Sequence, residues 1–158
     1  VYSWVPADVR EKILRICGDH LAPQGIAAVS FNTYPGWHFR GLARDMFVYH
    51  SRGLGSTDER IDSSLALLQF AKEATAGMGE KYSEFRLYSQ VLEREMKLLT
   101  GRARHYFVHE HLEGVNEPCY LHEFASRAAA HGLSFLGDVR LSTTVSYTHL
   151  TLPTIYSV

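Results

Sequence analysis

The stretch His20 to Gly41, HLAPQGIAAVSFNTYPGWHFRG, decides how the rest of the 158-residue chain is read. Pro23 and Gly25 stop any helix that runs into them, the first by lacking an N–H and the second by its conformational freedom. Ile26-Ala27-Ala28-Val29-Ser30-Phe31 is short, mostly apolar and partly β-branched, and it predicts a strand covered on both faces. Asn32 to Gly36 supplies turn residues at that strand's carboxyl end, the edge at which open α/β sheets bind ligands. Helical spacing takes over from there. The stretch thus predicts a seam between an α/β unit ending at residue 37 and a helical unit beginning at His38.

Towards the amino terminus, Pro6 suits the first turn of a helix and Ser3 is a plausible cap just before it. Val9, Ile13, Ile16 and Cys17 recur at helical spacing, with Leu21 a turn beyond. One helix and one strand cannot bury a sheet between them, so the expectation is a piece of a longer protein.

Towards the carboxyl terminus, Phe39, Leu42, Met46 and Tyr49 or His50 form one helical stripe, ended by Gly53-Leu54-Gly55. Ser56 followed by Glu59 has capping-box spacing and opens a second helix through Ile61, Leu65, Leu68 and Lys72. A third carries Phe85, Tyr88, Leu92, Met96 and Leu99, with Gly101 as its stop. Pro118 is read as the start of a last helix with Leu121, Phe124, Ala125 and Ala128 facing in and Gly132 at its end. Leu133 to Val139 alternates like a short strand. The fold expected is α/β: one helix and one strand of a sheet, then a mainly α-helical domain with a short terminal strand.

The segment Val145 to Val158, VSYTHLTLPTIYSV, would pass for an edge strand by alternation. Its first ten residues can instead be back-translated as GTC TCT TAT ACA CAT CTG ACG CTG CCG ACG. That string looks like a transposon-end adapter used in preparing sequencing libraries, read through in one frame. The tail is therefore set aside from fold reasoning as non-native sequence.

Composition narrows the function classes. Sixteen basic against seventeen acidic residues give a formal net charge of −1, so no electrostatic footprint favours nucleic acid or an anionic membrane. No apolar run approaches the roughly 20 residues of a membrane span. Cys17 and Cys119 have no second cysteine at ligand spacing and read as reduced thiols of a cytoplasmic protein.

The dense motifs are VYSWVP at Val1–Pro6, the opening stretch, ARDMFVYH at Ala43–His50, FVHEHLEGVNEPCYLHEF at Phe107–Phe124 and RAAAHGLSFLG at Arg127–Gly137. Together they resemble bacterial class I S-adenosylmethionine-dependent methyltransferases, more narrowly those with a methyltransferase regulatory domain after the catalytic one. The resemblance implies that residues 1–37 end the catalytic domain and residues 38–141 form the regulatory domain. It also implies S-adenosylmethionine as cofactor of the parent protein and, as partners, its own catalytic domain and a methyl acceptor. The family's cofactor-binding parts are a Gly-rich loop after the first strand and the acidic residue ending the second. Neither is in this chain, so no cofactor is expected to bind it alone.

Two clusters could carry chemistry. Tyr34, Trp37, His38 and Arg40 sit at the ligand edge of the inferred sheet, where aromatics could wall a methyl-transfer site and favour the donor's sulfonium by cation–π attraction. The plainer alternative, weighed more heavily, is packing at the domain junction with Arg40 solvated. His109, Glu110, His111, Glu113, Asn116, Glu117 and His122 look at first like a metal site. However, His109 and His111 are two apart and diverge on a helix, whereas a zinc-protease pair is four apart. The better reading is a buried polar network in which Glu113 or Glu117 caps the helix after Pro118 and orients His122, with no metal. Arg44-Asp45 and Arg102, Arg104 and His105 read as solvated surface.

Overall fold

A computed structural model describes residues 1–79 and 81–139, and among these the protein is all helical. A 3₁₀ turn at Tyr2–Trp4 leads into α1 (Ala7–His20). Then come α2 (Trp37–Ser51), α3 (Thr57–Met78) and α4 (Ser83–Thr100). A short α5 (Arg104–Phe107) runs into a π-helical turn at Val108–Leu112, and α6 (Leu121–Ala129) follows. The residues set aside as adapter sequence lie outside the described span.

The expected α/β architecture is overturned: the described residues contain no sheet. Ile26–Phe31 has strand composition but no strand beside it. Its backbone partners are divided among unrelated segments. Tyr2 N donates to Ser30 O and Cys119 N to Asn32 O, both at 3.1 Å, and a single parallel bridge joins Thr33 to Cys119. Ile26 is 74% exposed, so neither face of the segment is covered at that end. A strand is a paired state, and β-branched composition alone does not supply the partner. Leu133–Val139 likewise forms no strand, and Phe135, Leu136 and Val139 are exposed.

The helices fall where the pattern put them, and α3 and α4 turn in the expected stripes of Ile61, Leu65 and Leu68 and of Tyr88, Leu92, Met96 and Leu99, whereas α2 does not. In α2 the predicted stripe of Phe39, Leu42 and Tyr49 is exposed, and Trp37, Ala43, Phe47 and Ser51 are buried instead. In α1, Ile16 is exposed while Arg10 and Leu14 are buried. Ser3 does not cap α1; its Oγ accepts the Asn32 amide at 2.8 Å. The capping box of α3 forms as read, with Glu59 N donating to Ser56 Oγ at 3.2 Å and Ser56 N to Glu59 Oε2 at 3.0 Å. α6 begins at Leu121, three residues after Pro118. The expected inward residue Leu121 is exposed, whereas Phe124 and Ala128 are buried.

Two apolar cores result. Ala43, Phe47, Ile61, Leu68, Leu92, Leu99, Phe107 and Leu112 close the α2–α5 bundle and its π turn. Tyr2, Leu14, Cys119, Phe124 and Ala128 form the second, with Val29, Phe31 and Leu133 packed on it. α1 approaches the end of α6 so closely at Gly18 that a Cβ there would lie 2.3 Å from the His131 carbonyl oxygen. Only glycine permits that contact.

Candidate functional site

Between the two cores runs a buried polar seam centred on Arg40. Its guanidinium projects from the inner face of α2, three residues before buried Ala43 and seven before Phe47. Nη1 donates to Glu110 Oε1 at 2.5 Å and Nη2 to Glu95 Oε1 at 3.1 Å, so one cation sits between two carboxylates that are only 2% and 4% exposed. Glu95 comes from α4, and Glu110 and His111 from the π turn. The wider turn, closed by Glu113 N donating to Val108 O at 2.9 Å, lets Glu110, His111 and Leu112 all point inward.

Hydrogen bonds distribute the charge. Glu110 Oε1 also accepts from Tyr106 at 3.2 Å, and Oε2 accepts the Trp4 indole N–H at 3.0 Å. His111 Nε2 lies 2.9 Å from Glu95 Oε1, which fits an Nε2–H tautomer, while Nδ1 faces no polar partner. Burial alone would raise the Glu95 carboxyl; the His111 hydrogen bond and the Arg40 charge outweigh it and hold the group below its ordinary value. Burial also works against the Arg40 charge, but Tyr106, Glu95 and Glu110 more than offset it and the guanidinium is held above its usual range.

Arg44, expected at the surface, is half-buried and donates to the carbonyls of His111 and Glu113, each at 2.7 Å. These are free C=O groups at the end of the π turn. Burial lowers its charge preference, opposed by Asp45, Glu110 and Glu113. Asn116 Nδ2 donates to Glu110 O at 2.7 Å, and Asn116 Oδ1 accepts from Asn32 at 3.0 Å.

The sequence-predicted residues therefore separate. Tyr34, Trp37 and His38 line a cleft of about 280 Å³ together with Leu42 and Asp45. Tyr34 stacks on His38 at 4.3 Å and lies 5.5 Å from Tyr120. Arg40 does not join them at the surface; it turns inward with its guanidinium 5.1 Å from the Trp37 ring. Glu110, His111 and Asn116 meet in the seam. His109 lies outside it, exposed, stacked on Trp4 at 5.5 Å and 3.1 Å from Glu113. Glu117 pairs with Arg10, and His122 stacks on Tyr120 at 5.7 Å. Neither Glu113 nor Glu117 caps α6; Glu123 accepts the Tyr120 amide there at 2.7 Å. Among the described residues no three His, Cys, Asp or Glu side chains converge on a metal position.

Glu95, Trp4 and Asn32 were not singled out by sequence. For Glu95 a signal was present: it stands three residues after Leu92 and four before Leu99, on the inward stripe of α4. The contacts of Trp4 and Asn32 span 106 and 84 residues and left no local pattern.

Residues 103–152, which include the π turn and α6, match the family model described as "Predicted methyltransferase regulatory domain". That stretch is similar to a methyltransferase regulatory domain. Two uncharacterised proteins of Rickettsia prowazekii (strain Madrid E) are similar to it. RP789 is 41% identical over 143 residues, covering 90% of this chain and 25% of the relative. RP028 is 34% identical over 128 residues, covering 81% of this chain and 49% of the relative. The chain is also similar to the solved structure of PKMT2 from Rickettsia typhi, at TM-score 0.66 and 29% identity, over 96% of this chain and 29% of that one. The same protein in complex with AdoHcy matches at TM-score 0.68 and 28% identity, over 94% and 30%. The chain thus spans between a quarter and a half of the length of these relatives. No helix among the described residues is long and apolar enough to cross a membrane.

Proposed function

We propose that the chain is the regulatory part of an S-adenosylmethionine-dependent methyltransferase. Residues 1–37 belong to its catalytic unit, and residues 38–141 cap or modulate that unit. The observation that carries this reading is the likeness, along 94% of the chain, to a protein solved with AdoHcy, the product left when S-adenosylmethionine gives up its methyl group. Methyl transfer is an in-line displacement: the sulfonium–methyl bond breaks as the acceptor–methyl bond forms. The protein's contribution is orientation and exclusion of water. The seam supports a modulating role, because Trp4 of the leading segment is hydrogen-bonded to Glu110 of the regulatory domain, with no flexible linker around Pro35–Arg44. Tyr34, Trp37 and His38 are proposed as the substrate-side wall.

The test is AdoHcy titration and methyl transfer from S-adenosylmethionine by the longer protein, with and without residues 38–141. Binding by the longer protein and impaired transfer after deletion are expected. Absent binding overturns the methyltransferase reading, and unchanged transfer after deletion overturns the capping role.

The exposed α2 face of Phe39, Leu42 and Tyr49 favours a second reading, a non-enzymatic interaction or dimerisation module. A concentration-dependent change of mass in sedimentation, lost in Phe39→Ser, would support it. A monomer at all concentrations would count against self-association.

A further inference from the structure

The cleft of about 280 Å³ beside α2 has Tyr34, Trp37 and Leu42 as an apolar wall and two opposite charges, Arg44 and Asp45, in its lining. Consecutive side chains on a helix do not face each other, so the two groups stand apart. Burial works against the Arg44 cation and the Asp45 charge favours it through space, without a hydrogen bond between them. The bonds of Arg44 run to the carbonyls of His111 and Glu113, at 2.7 Å each, and fix the guanidinium in place. A guanidinium has five N–H donors, so those bonds leave others unspent. Asn116, in the same lining, is committed to Glu110 and Asn32. A held cation and an exposed carboxylate therefore share one space with an apolar wall.

These features define what fits. The volume lies just below the range of about 300–1,000 Å³ that takes drug-sized ligands, and so suits something smaller. A simple anion would meet the Asp45 carboxylate, and a simple cation the Arg44 guanidinium. A ligand carrying both charges meets each with its opposite. We propose that this cleft binds a free α-amino acid with an apolar side chain: its carboxylate on Arg44, its ammonium on Asp45 and its side chain against Tyr34, Trp37 and Leu42. The wall is the one assigned above to the substrate side. The proposal thus deepens the methyltransferase reading by giving that site a regulator, because an amino acid seated there excludes the methyl acceptor. Binding itself does not depend on that reading.

The experiment titrates the chain with L-leucine, L-methionine and L-phenylalanine and follows the indole N–H signals of Trp37 and Trp4 by NMR. The Trp37 signal is expected to shift and saturate in the millimolar range, while that of Trp4, which lines the other cleft, stays in place. N-acetyl-L-leucine lacks the cation and L-leucine methyl ester lacks the anion, so each should bind about 10-fold or more weakly than leucine. Asp45→Asn, at an exposed position, should weaken leucine about 5- to 30-fold and leave the melting temperature unchanged. It should not weaken N-acetyl-L-leucine, which has no ammonium to hold. Methyl transfer by the longer protein to heat-treated cell extract should fall as leucine fills the cleft.

The absence of a saturable shift at Trp37 with all three amino acids overturns the proposal. So does equal binding of free and blocked leucine, or an Asp45→Asn protein that binds leucine as wild type does. AdoHcy carries the same amino-acid end; if it shifts Trp37 at far lower concentration than L-methionine, the cleft belongs to the methyl donor and the proposal falls. Methyl transfer unchanged at saturating leucine overturns the regulatory role. A longer protein that neither binds AdoHcy nor transfers methyl groups overturns the methyltransferase reading, and with it the regulatory role, while the Trp37 titration still decides the binding site.

Discussion

The α2–α5 bundle and the region formed by α1, the Ile26–Phe31 segment and α6 differ in how they hold together. The bundle closes on itself: Phe47, Leu68 and Leu92 are at most 1% exposed, and its cap at Ser56 and its helix stop at Gly101 are local. The other region has a smaller core of its own, around Tyr2, Leu14 and Phe124, and is also held from outside. Its extended segment presents Ile26 to solvent, and its polar groups reach across sequence to Glu110, Asn116 and Glu117. The bundle stands on burial, and the leading segment is held to it by directed hydrogen bonds.

That difference is open to attack by substitution. The largest effect is expected for Phe47→Ala, which should cost about 3–5 kcal/mol in urea unfolding because the bundle core cannot collapse round the void. Arg40→Met should cost about 3 kcal/mol, since it leaves Glu95 and Glu110 buried without their cation. Both regions should loosen together, visible as a loss of Trp4 indole protection in hydrogen exchange. If Arg40→Met left that protection unchanged, the seam would not join them.

Acid sharpens the same point. Glu95 is held below its ordinary value of 4.5 in the folded state, so the unfolded chain takes up that proton first as pH falls. Its contribution is fully present above about pH 4.5 and is lost below it, as pH approaches the depressed folded value. Glu95→Gln should therefore be less stable at pH 7 yet decline less steeply below pH 4.5; parallel curves for the two proteins would contradict the pairing. Trp4→Phe should cost about 1.5–3 kcal/mol, the worth of one hydrogen bond to a charged group. Arg104→Ala, which removes exposed pairs with Asp58 and Asp62, should leave the unfolding curve where it is.

Particular residues show what could be read from the chain. The helices were legible because their turn and cap residues act within a few positions, as Ser56 with Glu59 and Gly101 after Leu99 do. The inward face of α2 was harder. Apolar spacing in α2 favoured Phe39 and Tyr49, yet the face turned in carries Arg40, whose charge is satisfied by residues 55 and 70 positions away. Strand composition at Ile26–Phe31 misled for the reverse reason: a ladder needs a partner, and composition does not provide one. The reading of the run His109 to His122 as one polar network has Glu110, His111 and Asn116 in the seam, but His109, Glu117 and His122 lie outside it. It did not find Glu95, although a carboxylate on an apolar stripe is itself the signal of a buried pair.

Whether Glu110 ties the leading segment to the bundle is tested most directly by a double-mutant cycle on this chain. Unfolding free energies would be measured for wild type, Trp4→Phe, Glu110→Gln and the double variant at pH 7. A coupling of about 1 kcal/mol or more is expected between the two positions. Strict additivity would show that the indole and the carboxylate act independently, and the seam would then hold nothing together.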